Sequence, residues 1–193
     1  MERAGLKIVV LLIAISLILW VVDPKISLIL LAFAVFLVYF YRDPEREIGE
    51  GVVSPADGKI VDISDRRVEI FMGIFDCHVN RSPCDGVVEK IDHSGGRFLP
   101  AFLKESVKNE KNRILIKSEN GMFVVEQIAG IFARRIICYL KEGERIKKGQ
   151  RIGMIVFGSR VALEVPEGYR FTVRKGERVK AGQTVAVRHE ETH

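Results

Sequence analysis

Two long apolar runs at the N-terminus constrain this chain more than any other feature. Residues 8–22 and 26–41 contain no charged side chain, and the tripeptide Asp-Pro-Lys separates them. Because Pro breaks a helix and Asp-Pro favours a turn, the sequence predicts two helices joined as a hairpin, at about 6–22 and 26–41. Apolar side chains on every face are typical of a helix in contact with lipid. We therefore expect residues 1–41 to form a membrane hairpin.

The two runs leave the depth of the hairpin open. They have 15 and 16 residues, whereas a helix needs about 20 residues to cross about 30 Å of hydrocarbon. The hairpin either crosses the bilayer twice, with Trp20 and Tyr39–Tyr41 at the interfaces, or lies in one leaflet. Four Lys or Arg residues flank the hairpin and only Lys25 lies in its turn. This bias predicts a cell-membrane protein whose remaining residues are on the cytoplasmic face.

Charge and cysteine content narrow the possible partners. The chain has a formal net charge of +5, and the basic excess lies after residue 50. Such an excess suits an anionic membrane surface or an anionic ligand. The Lys and Arg residues form no dense run, so we do not expect nucleic acid as a partner. The three cysteines (Cys77, Cys84 and Cys138) lack CxxC spacing, which predicts reduced thiols and neither a disulfide framework nor a metal site.

The remainder of the chain has the pattern of short β-strands. A polar linker with Pro and Gly occupies residues 42–51. Over residues 52–193, stretches rich in Val and Ile alternate with turns that contain Gly, Asp and Pro. Helical periodicity is scarce, apart from a possible short helix at 99–107. The sequence therefore predicts a mostly β domain.

Two pairs of similar segments indicate an internal repeat within this domain. Residues 54–63 and 82–91 both read S-P-x-D-G-x-(I/V)-x-x-I, and residues 143–150 and 176–183 both read G-E-R-(I/V)-K-x-G-Q. Pro and Asp-Gly supply a turn, and the β-branched residues supply a strand. The second pattern resembles the β-architecture of biotinyl and lipoyl carrier domains. We therefore expect a flattened barrel or sandwich of short strands.

Three short segments carry residues capable of chemistry. Gly158-Ser159 lies between two apolar runs, Asp57 lies in the segment SPADGKI, and His78 lies in the segment FDCHVNRSPCDG. Each has an ordinary structural interpretation when taken alone, as a turn or as a structural histidine. The segment around Ser159 is not G-x-S-x-G, so the nucleophile elbow of a hydrolase is not indicated.

Taken together and in this order after an apolar hairpin, these segments resemble the phosphatidylserine decarboxylase family. The match is closest to its short form, which includes archaeal archaetidylserine decarboxylases. Further matching segments are His93–Ala101, Asn109–Arg113 and Gln127–Arg135. The resemblance extends over roughly residues 40–170.

This resemblance implies a proenzyme that makes its own prosthetic group. Ser159 would attack the carbonyl of Gly158 and convert the peptide bond into an ester. β-Elimination would then separate a larger chain, residues 1–158, from a smaller chain, residues 159–193. The remaining dehydroalanine would hydrolyse to a pyruvoyl group at Ser159, so the implied cofactor is a covalent pyruvate. Glycine suits this position because its carbonyl is unhindered.

The resemblance also implies roles for side chains outside the cleavage site. Serine needs a nearby base, and His78 oriented by Asp57 is the natural candidate, in the logic of a catalytic triad. Longer family members have a second histidine, usually given this role, where the present chain has Arg81. His78 therefore serves both cleavage and decarboxylation, or His93 takes one of the two steps. Arg160 stands where longer members more commonly have Thr.

The implied reaction removes CO2 from the serine headgroup of phosphatidylserine or archaetidylserine and leaves the ethanolamine lipid. The pyruvoyl ketone condenses with the serine amine and withdraws electrons, and His78 is a candidate for the acid that returns a proton. His93, Arg134 and Arg135 are candidate substrate-binding residues, because arginine suits a phosphate or carboxylate. A homodimer is a further implication, whereas no metal is implied.

Two other functions stay open from the sequence. The G-E-R-(I/V)-K-x-G-Q repeat is compatible with a non-enzymatic, membrane-anchored β-barrel module that binds or adapts other proteins and stays intact. A soluble pyruvoyl amino-acid decarboxylase is the third possibility, against which the apolar hairpin argues. The sequence does not distinguish ester-linked acyl tails from ether-linked isoprenoid tails, because the hairpin that would meet them is unselective.

Overall fold

The computed structural model describes residues 3–95, 109–130, 136–156 and 159–189, which contain two helices and fourteen short strands. The chain is therefore mostly β, as predicted. It divides into two compact units, Met1–Glu45 and Arg46–His193. The short helix expected at 99–107 lies outside the described residues.

Two antiparallel helices make up the first unit. Helix α1 spans Arg3–Leu19, and helix α2 spans Pro24–Phe40. Asp23 caps α2 because its carboxylate accepts hydrogen bonds from the backbone N–H groups of Lys25 and Ile26. Pro24 suits the first turn of α2, where no backbone donor is needed. The turn signal read from Asp-Pro-Lys is thus the start of the second helix.

A pair of serines joins the two helices. The hydroxyl of Ser16 donates to the carbonyl of Ser27 at 2.9 Å, and the hydroxyl of Ser27 donates to the carbonyl of Ser16 at 2.8 Å. Each helix has 17 residues, and α1 ends at Leu19 rather than near Val22. Neither described helix has the combination of length and apolarity required to cross a membrane. The expectation of a membrane-crossing hairpin is therefore not supported.

The second unit contains all the described strands, which pair into three sheets. In chain order the strands are β1 (Val52–Val53), β2 (Gly58–Ile63), β3 (Arg67–Met72), β4 (Val79–Arg81), β5 (Gly86–Ser94), β6 (Lys111–Ser118), β7 (Gly121–Ala129), β8 (Ile136–Cys138), β9 (Arg145–Ile146), β10 (Arg151–Ile155), β11 (Ser159–Glu164), β12 (Tyr169–Phe171), β13 (Arg178–Val179) and β14 (Thr184–Arg188). The eight-stranded sheet has the order β13-β2-β3-β11-β7-β6-β5-β9, and the three-stranded sheets have the orders β1-β14-β12 and β4-β10-β8. Branched aliphatic side chains from these strands form most of the buried core.

None of these sheets closes on itself within the described residues, so the expected flattened barrel is wrong. The strands at the two edges of the large sheet, β13 and β9, are each two residues long. The turns that follow them bond to the two S-P-x-D-G turns. The N–H of Ser54 donates to the carbonyl of Gln183, and the N–H of Ser82 donates to the carbonyl of Gln150, both at 2.8 Å. A closed barrel has no exposed strand edge, whereas here each edge of the large sheet ends in a contact between two turns.

The two pairs of similar segments correspond to two copies of one structural unit. Asp57 Oδ1 accepts a hydrogen bond from the N–H of Ala181 at 2.8 Å. Asp85 Oδ1 accepts one from the N–H of Lys148 at 2.9 Å. In each copy the aspartate of the S-P-x-D-G turn thus binds the residue before the last Gly-Gln of the G-E-R-(I/V)-K-x-G-Q turn. The repeat read from the sequence is confirmed as a structural repeat.

The register of the strands repeats in the same way. β14 pairs with β1 through Thr184 and Val53, and β10 pairs with β4 through Arg151 and Arg81 at the corresponding positions. The first copy consists of β1, β2, β3, β11, β12, β13 and β14, and the second consists of β4, β5, β6, β7, β8, β9 and β10. Equivalent strands consequently follow one another in the same order from either edge of the large sheet: β13, β2, β3 and β11 from one edge, and β9, β5, β6 and β7 from the other.

The glycine of each S-P-x-D-G turn explains why this motif recurs. A Cβ on Gly58 would lie 2.2 Å from the carbonyl oxygen of Phe71, and a Cβ on Gly86 would lie 2.7 Å from that of Lys117. Both distances are too short for any side chain, because the turn packs against the backbone of the next strand. Phe71 and Lys117 hold equivalent places in the two copies.

The second copy is inserted into the first. The chain forms β1, β2 and β3, then the whole second copy, and only afterwards completes the first copy with β11 to β14. β3 and β11 still pair, and Met72 and Ser159 are register partners. The matching partners in the second copy are Ser118 and Gly121, which a two-residue turn joins directly. Ser159 therefore lies at the junction where the chain returns from the inserted copy.

Candidate active site

Ser159 is the first residue of β11, at the centre of the eight-stranded sheet. It pairs with Met72 of β3 on one side and with Ala129 of β7 on the other. Its side chain is fully buried, and its Oγ donates a hydrogen bond to the sulfur of Met72 at 3.4 Å. Thioether sulfur is a weak acceptor. The hydroxyl is therefore held in place by a bond that costs little to exchange for a better acceptor.

A chain of buried amides leads away from the same sulfur. Asn80 Nδ2 lies 3.7 Å from the sulfur of Met72, Gln127 Nε2 donates to Asn80 Oδ1 at 2.8 Å, and Asn112 Nδ2 donates to Gln127 Oε1 at 2.8 Å. All three amide side chains are buried. Because each bond uses a donor of one amide and an acceptor of the next, the three side chains have one consistent orientation. This network fixes the surroundings of Ser159 without placing a charge there.

Sequence reasoning assigned no role to these amides. Asn112 and Gln127 lie in segments that match the family, and Asn80 lies two residues after His78. The sequence does contain one signal, because each of these amides is an uncharged polar residue in a strand that also carries apolar residues. A buried amide must be hydrogen-bonded, so such a residue indicates a buried polar contact. That signal does not reveal that the three residues meet, because they come from β4, β6 and β7.

His78 is fully buried immediately before β4. Its Nδ1 lies 2.9 Å from the carbonyl oxygen of Asp76. Because a carbonyl only accepts hydrogen bonds, Nδ1 carries the proton in this contact, and a neutral ring then has its lone pair on Nε2. A backbone carbonyl therefore sets the tautomer of His78, the task that the sequence analysis gave to the carboxylate of Asp57.

Asp57 is engaged elsewhere among the described residues. Its Oδ1 accepts the backbone bond from Ala181, and its Oδ2 lies 2.6 Å from Nη2 of Arg46. Both oxygens of the carboxylate are thereby satisfied, in a place where the side chains of Asp57 and Arg46 are nearly buried. The structure thus gives Asp57 a part in the turn of the first copy and does not bring it to His78.

Arg81 and His93 also make contacts with other residues. Arg81 is buried, and its Nη1 donates to the carbonyl of Gly149 at 3.0 Å. His93 lies on β5 with about half of its side chain exposed, and its Nε2 is 3.2 Å from Oε1 of Glu110. The remaining predicted site residues, Gly158, Arg134 and Arg135, lie outside the described residues.

Arg160, the residue after Ser159, belongs to a network of ion pairs. Its Nη1 lies 2.6 Å from Oε2 of Glu69, and the other carboxylate oxygen of Glu69, Oε1, accepts from Nε of Arg67 at 3.0 Å. Arg67 binds Glu126 at 2.7 Å as well, and it contacts Glu164. These residues come from β3, β7 and β11, which are adjacent in the sheet. Successive side chains of a strand point to opposite faces, so Arg160 and Ser159 lie on opposite sides of the sheet.

The network shifts the pKa values of two of its members, Glu126 and Arg67. Burial alone would raise the pKa of the Glu126 carboxyl, but hydrogen bonds from Arg67 and Lys111 outweigh burial and hold this pKa below its ordinary value. Burial likewise opposes the charge of Arg67, and its bonds to Glu126, Glu69 and Glu164 raise its pKa. The pair of Arg67 and Glu126 therefore stays charged at neutral pH, and the network holds β3, β7 and β11 together on the face opposite the side chain of Ser159.

Comparison with known proteins agrees with the resemblance read from the sequence. A sequence model of phosphatidylserine decarboxylase matches residues 33–187. A putative archaetidylserine decarboxylase proenzyme from Archaeoglobus fulgidus is 54% identical over 98% of this chain and 96% of the relative. Another from Methanosarcina acetivorans is 49% identical over 80% of this chain and 76% of the relative. A phosphatidylserine decarboxylase proenzyme from Solibacter usitatus is 40% identical over 91% of this chain and 89% of the relative.

Proposed function

Because the chain belongs to the phosphatidylserine decarboxylase family, we propose that it removes CO2 from the serine headgroup of a phospholipid and leaves the ethanolamine lipid. The relatives are decarboxylase proenzymes, so the chain is a decarboxylase that is made as a precursor. The finer proposal is that it cuts itself between Gly158 and Ser159 and acts through a pyruvoyl group formed from Ser159. Phosphatidylserine and archaetidylserine share the headgroup, and both are named among the relatives.

The position of Ser159 carries this proposal. It lies at the junction of the two copies, where the second copy has a simple turn, so a cut at this point interrupts no strand pair of the described sheet. The smaller chain would keep β11 between β3 and β7, β13 beside β2, and β14 beside β1. Pairing with the larger chain at these places supports a two-chain enzyme that stays assembled.

Maturation would use groups of the chain itself. Ser159 Oγ attacks the carbonyl carbon of Gly158, and the peptide nitrogen takes the hydroxyl proton as the ester forms. Loss of the Ser159 Cα proton then expels the Gly158 carboxylate and leaves dehydroalanine. Water replaces its nitrogen, which departs as ammonia, and the ketone of a pyruvoyl group is left on Arg160 N. His78 Nε2 is our candidate for the base that takes the hydroxyl proton and passes it to the peptide nitrogen, with its tautomer set by Asp76.

The surroundings of Ser159 fit a small carbonyl-bearing group. The serine side chain lies beside the uncharged sulfur of Met72, and the amide of Asn80 contacts the same sulfur. A pyruvoyl group supplies an electron sink for the loss of CO2. The chain's own contribution is to hold residue 159 on one face of a central strand, to keep bulk water away by burial, and to supply in His78 a group that can return a proton once its Nε2 has taken one.

We also propose that the helical unit holds the protein at the cytoplasmic face of the cell membrane. Both helices expose large apolar side chains, among them Leu17, Ile18 and Leu28, with 61–71% of each exposed. Many exposed large apolar side chains on two adjacent helices suit contact with lipid or with another protein. A 17-residue helix is about 25 Å long, which suits a hairpin lodged in the membrane. Lipid is our choice because the proposed substrate stays in the bilayer.

The repeat that suggested an adaptor module has another explanation in the structure. The two G-E-R-(I/V)-K-x-G-Q segments are equivalent turns that hold the two S-P-x-D-G turns in place. No observation on the described residues separately favours the adaptor.

A lipid decarboxylation assay tests the proposal. The detergent-solubilised protein is mixed with vesicles that contain phosphatidylserine, and the ethanolamine lipid is measured, with free serine as the alternative substrate. We expect product from the lipid and none from free serine. The variant Ser159→Ala should be inactive, whereas Ser64→Ala, which changes an exposed serine in the turn after β2, should match the parent. Full activity of Ser159→Ala would refute the pyruvoyl mechanism.

A further inference from the structure

Residues of both copies of the repeat line an open cleft with a volume of about 820 Å3. Its walls include Val52, Ser118 and Asn120, close to the turn that joins β6 to β7. Ser159 lies at the other end of β7, beside Ala129. Phe123, another lining residue, lies six positions before Ala129, which corresponds to about 20 Å along a strand. The cleft is therefore distinct from the surroundings of Ser159.

The repeat relates this cleft to the candidate active site. Ser118 occupies the place that Met72 has in the first copy, because the pair Ser118–Gly121 matches the pair Met72–Ser159. Val52 occupies the place of Asn80, because the pair Val52–Ala186 matches the pair Asn80–Gly153. The sulfur of Met72 accepts from the buried hydroxyl of Ser159, and Asn80 contacts the same sulfur. The equivalent residues, Ser118 and Val52, instead line the open cleft.

Positive charge distinguishes the cleft from its counterpart. Five basic residues line it, against two acidic residues, Asp85 and Glu119. The basic residues are Lys117, Arg145, Lys147, Lys148 and Arg188. Three of them have apolar equivalents at the positions that the repeat relates to them, since Phe71, Ala181 and Ile155 hold the places of Lys117, Lys148 and Arg188. Cations at three positions whose repeat equivalents are apolar indicate a site for an anion.

Neutral donors complete the lining. Arg188 Nη1 donates to Asn120 Oδ1 at 3.1 Å, which directs the guanidinium along the wall of the cleft. Burial raises the pKa of the Tyr169 hydroxyl and raises that of the Cys84 thiol to about 12. Both groups therefore stay neutral at physiological pH and add no negative charge to the cleft. Asp85 is partly offset because it accepts the backbone bond from Lys148.

We propose that this cleft binds a phosphate-bearing anion, at a site separate from that of decarboxylation. The basic side chains of the cleft, together with several N–H or O–H donors on a concave wall, suit the several oxygens of a phosphate. The phosphate comes either from the headgroup of a membrane phospholipid or from a free phosphomonoester. The inference does not depend on the proposed reaction at Ser159, because it rests on the shape and charge of the cleft.

The first arm of the test measures the binding of inorganic phosphate by titration calorimetry at low ionic strength. The test variant is Lys117→Gln with Lys148→Gln. The matched control is Lys175→Gln with Lys180→Gln, which removes the same charge from exposed residues of the first copy. We expect the test variant to bind phosphate about tenfold more weakly or worse, and the control to change affinity less than twofold. Equal affinities in the two double variants would overturn the proposal.

The second arm identifies the source of the phosphate. Sedimentation with vesicles of phosphatidylcholine that contain phosphatidylglycerol compares the same two double variants. Weaker sedimentation of the test variant alone assigns the cleft to a lipid headgroup, whereas equal sedimentation with lost phosphate binding assigns it to a soluble phosphomonoester. Thermal unfolding shows whether each variant is folded. If the test variant does not fold, Arg188→Gln becomes the test variant and Arg170→Gln becomes its control. The phosphate affinities and the vesicle sedimentation of these two variants are then compared in the same way.

Discussion

The ion pair between Arg160 and Glu69 is expected to hold the start of β11 in place next to the proposed cleavage site. Arg160 Nη1 lies 2.6 Å from Glu69 Oε2, and the two side chains are 14% and 16% exposed. Arg160 follows the proposed cut directly, so this contact would anchor the new end of the smaller chain on the face opposite residue 159. We predict that Arg160→Gln loosens the start of β11.

The size of the effect follows from the burial of the pair. A hydrogen bond between charged groups contributes about 1.5–3 kcal/mol, and partial exposure reduces this to about 1–2 kcal/mol. Glu69 keeps its contact with Arg67 at 3.0 Å, so the variant leaves no isolated buried charge. A loss of about 1–2 kcal/mol corresponds to a factor of about 5–30 in a local opening equilibrium.

Hydrogen exchange measures that opening in a single intact chain. Ser159→Ala serves as the parent, so the result does not depend on self-cleavage. Amides at the start of β11 should exchange about 5–30 times faster after Arg160→Gln. The matched control is Arg113→Gln, whose contact with Glu164 is 3.3 Å long and half exposed, and it should leave these amides unchanged. Unaltered exchange in Arg160→Gln would refute the anchoring role.

Further predictions address the amide chain, the ion network, the buried thiol and the base. Gln127→Leu removes the hydrogen-bond partner of Asn80 Oδ1 and of Asn112 Nδ2, both of which are buried. We expect the free energy of unfolding to fall by about 2–4 kcal/mol, seen by calorimetry as a fall in Tm of about 4–16 °C. The lowered pKa of Glu126 means that its stabilising effect is present at neutral pH and is lost as pH falls through its folded-state pKa. Urea unfolding at successively lower pH should show this loss of stability, and the loss on acidification should be smaller in Glu126→Gln. Cys84, with its pKa of about 12, should react with a thiol reagent at pH 8 far more slowly than the less buried Cys138, as mass spectrometry of the labelled peptides would show. His78→Gln should slow self-cleavage severely in a time course of chain separation, and cleavage at the parental rate would remove it as the base.

The sequence allowed the local structure to be predicted but not the way its parts combine. Two helices, short strands and a repeat were readable because apolar runs, Asp-Gly turns and β-branched residues act locally. The insertion of one copy into the other was not readable, because Met72 and Ser159 are 87 residues apart in the chain. The expected barrel was wrong because pattern alone does not reveal how the edges of a sheet end.

The candidate site shows the same division. Ser159, His78 and Asp57 were found through the resemblance to a family, and the structure supports different physical roles for the last two. A backbone carbonyl sets the tautomer of His78, whereas Asp57 binds Ala181 and Arg46. The amide chain through Asn80 escaped notice because isolated polar residues in strands have no distinctive spacing.

Intact-mass spectrometry of the purified full-length protein tests the central claim most directly. The account predicts two chains, residues 1–158 and residues 159–193, with the mass of a pyruvoyl group at the start of the smaller one. Ser159→Ala should give a single uncut chain. A parent protein that stays uncut after incubation with phospholipid vesicles, or one that is cut at another bond, would contradict the account.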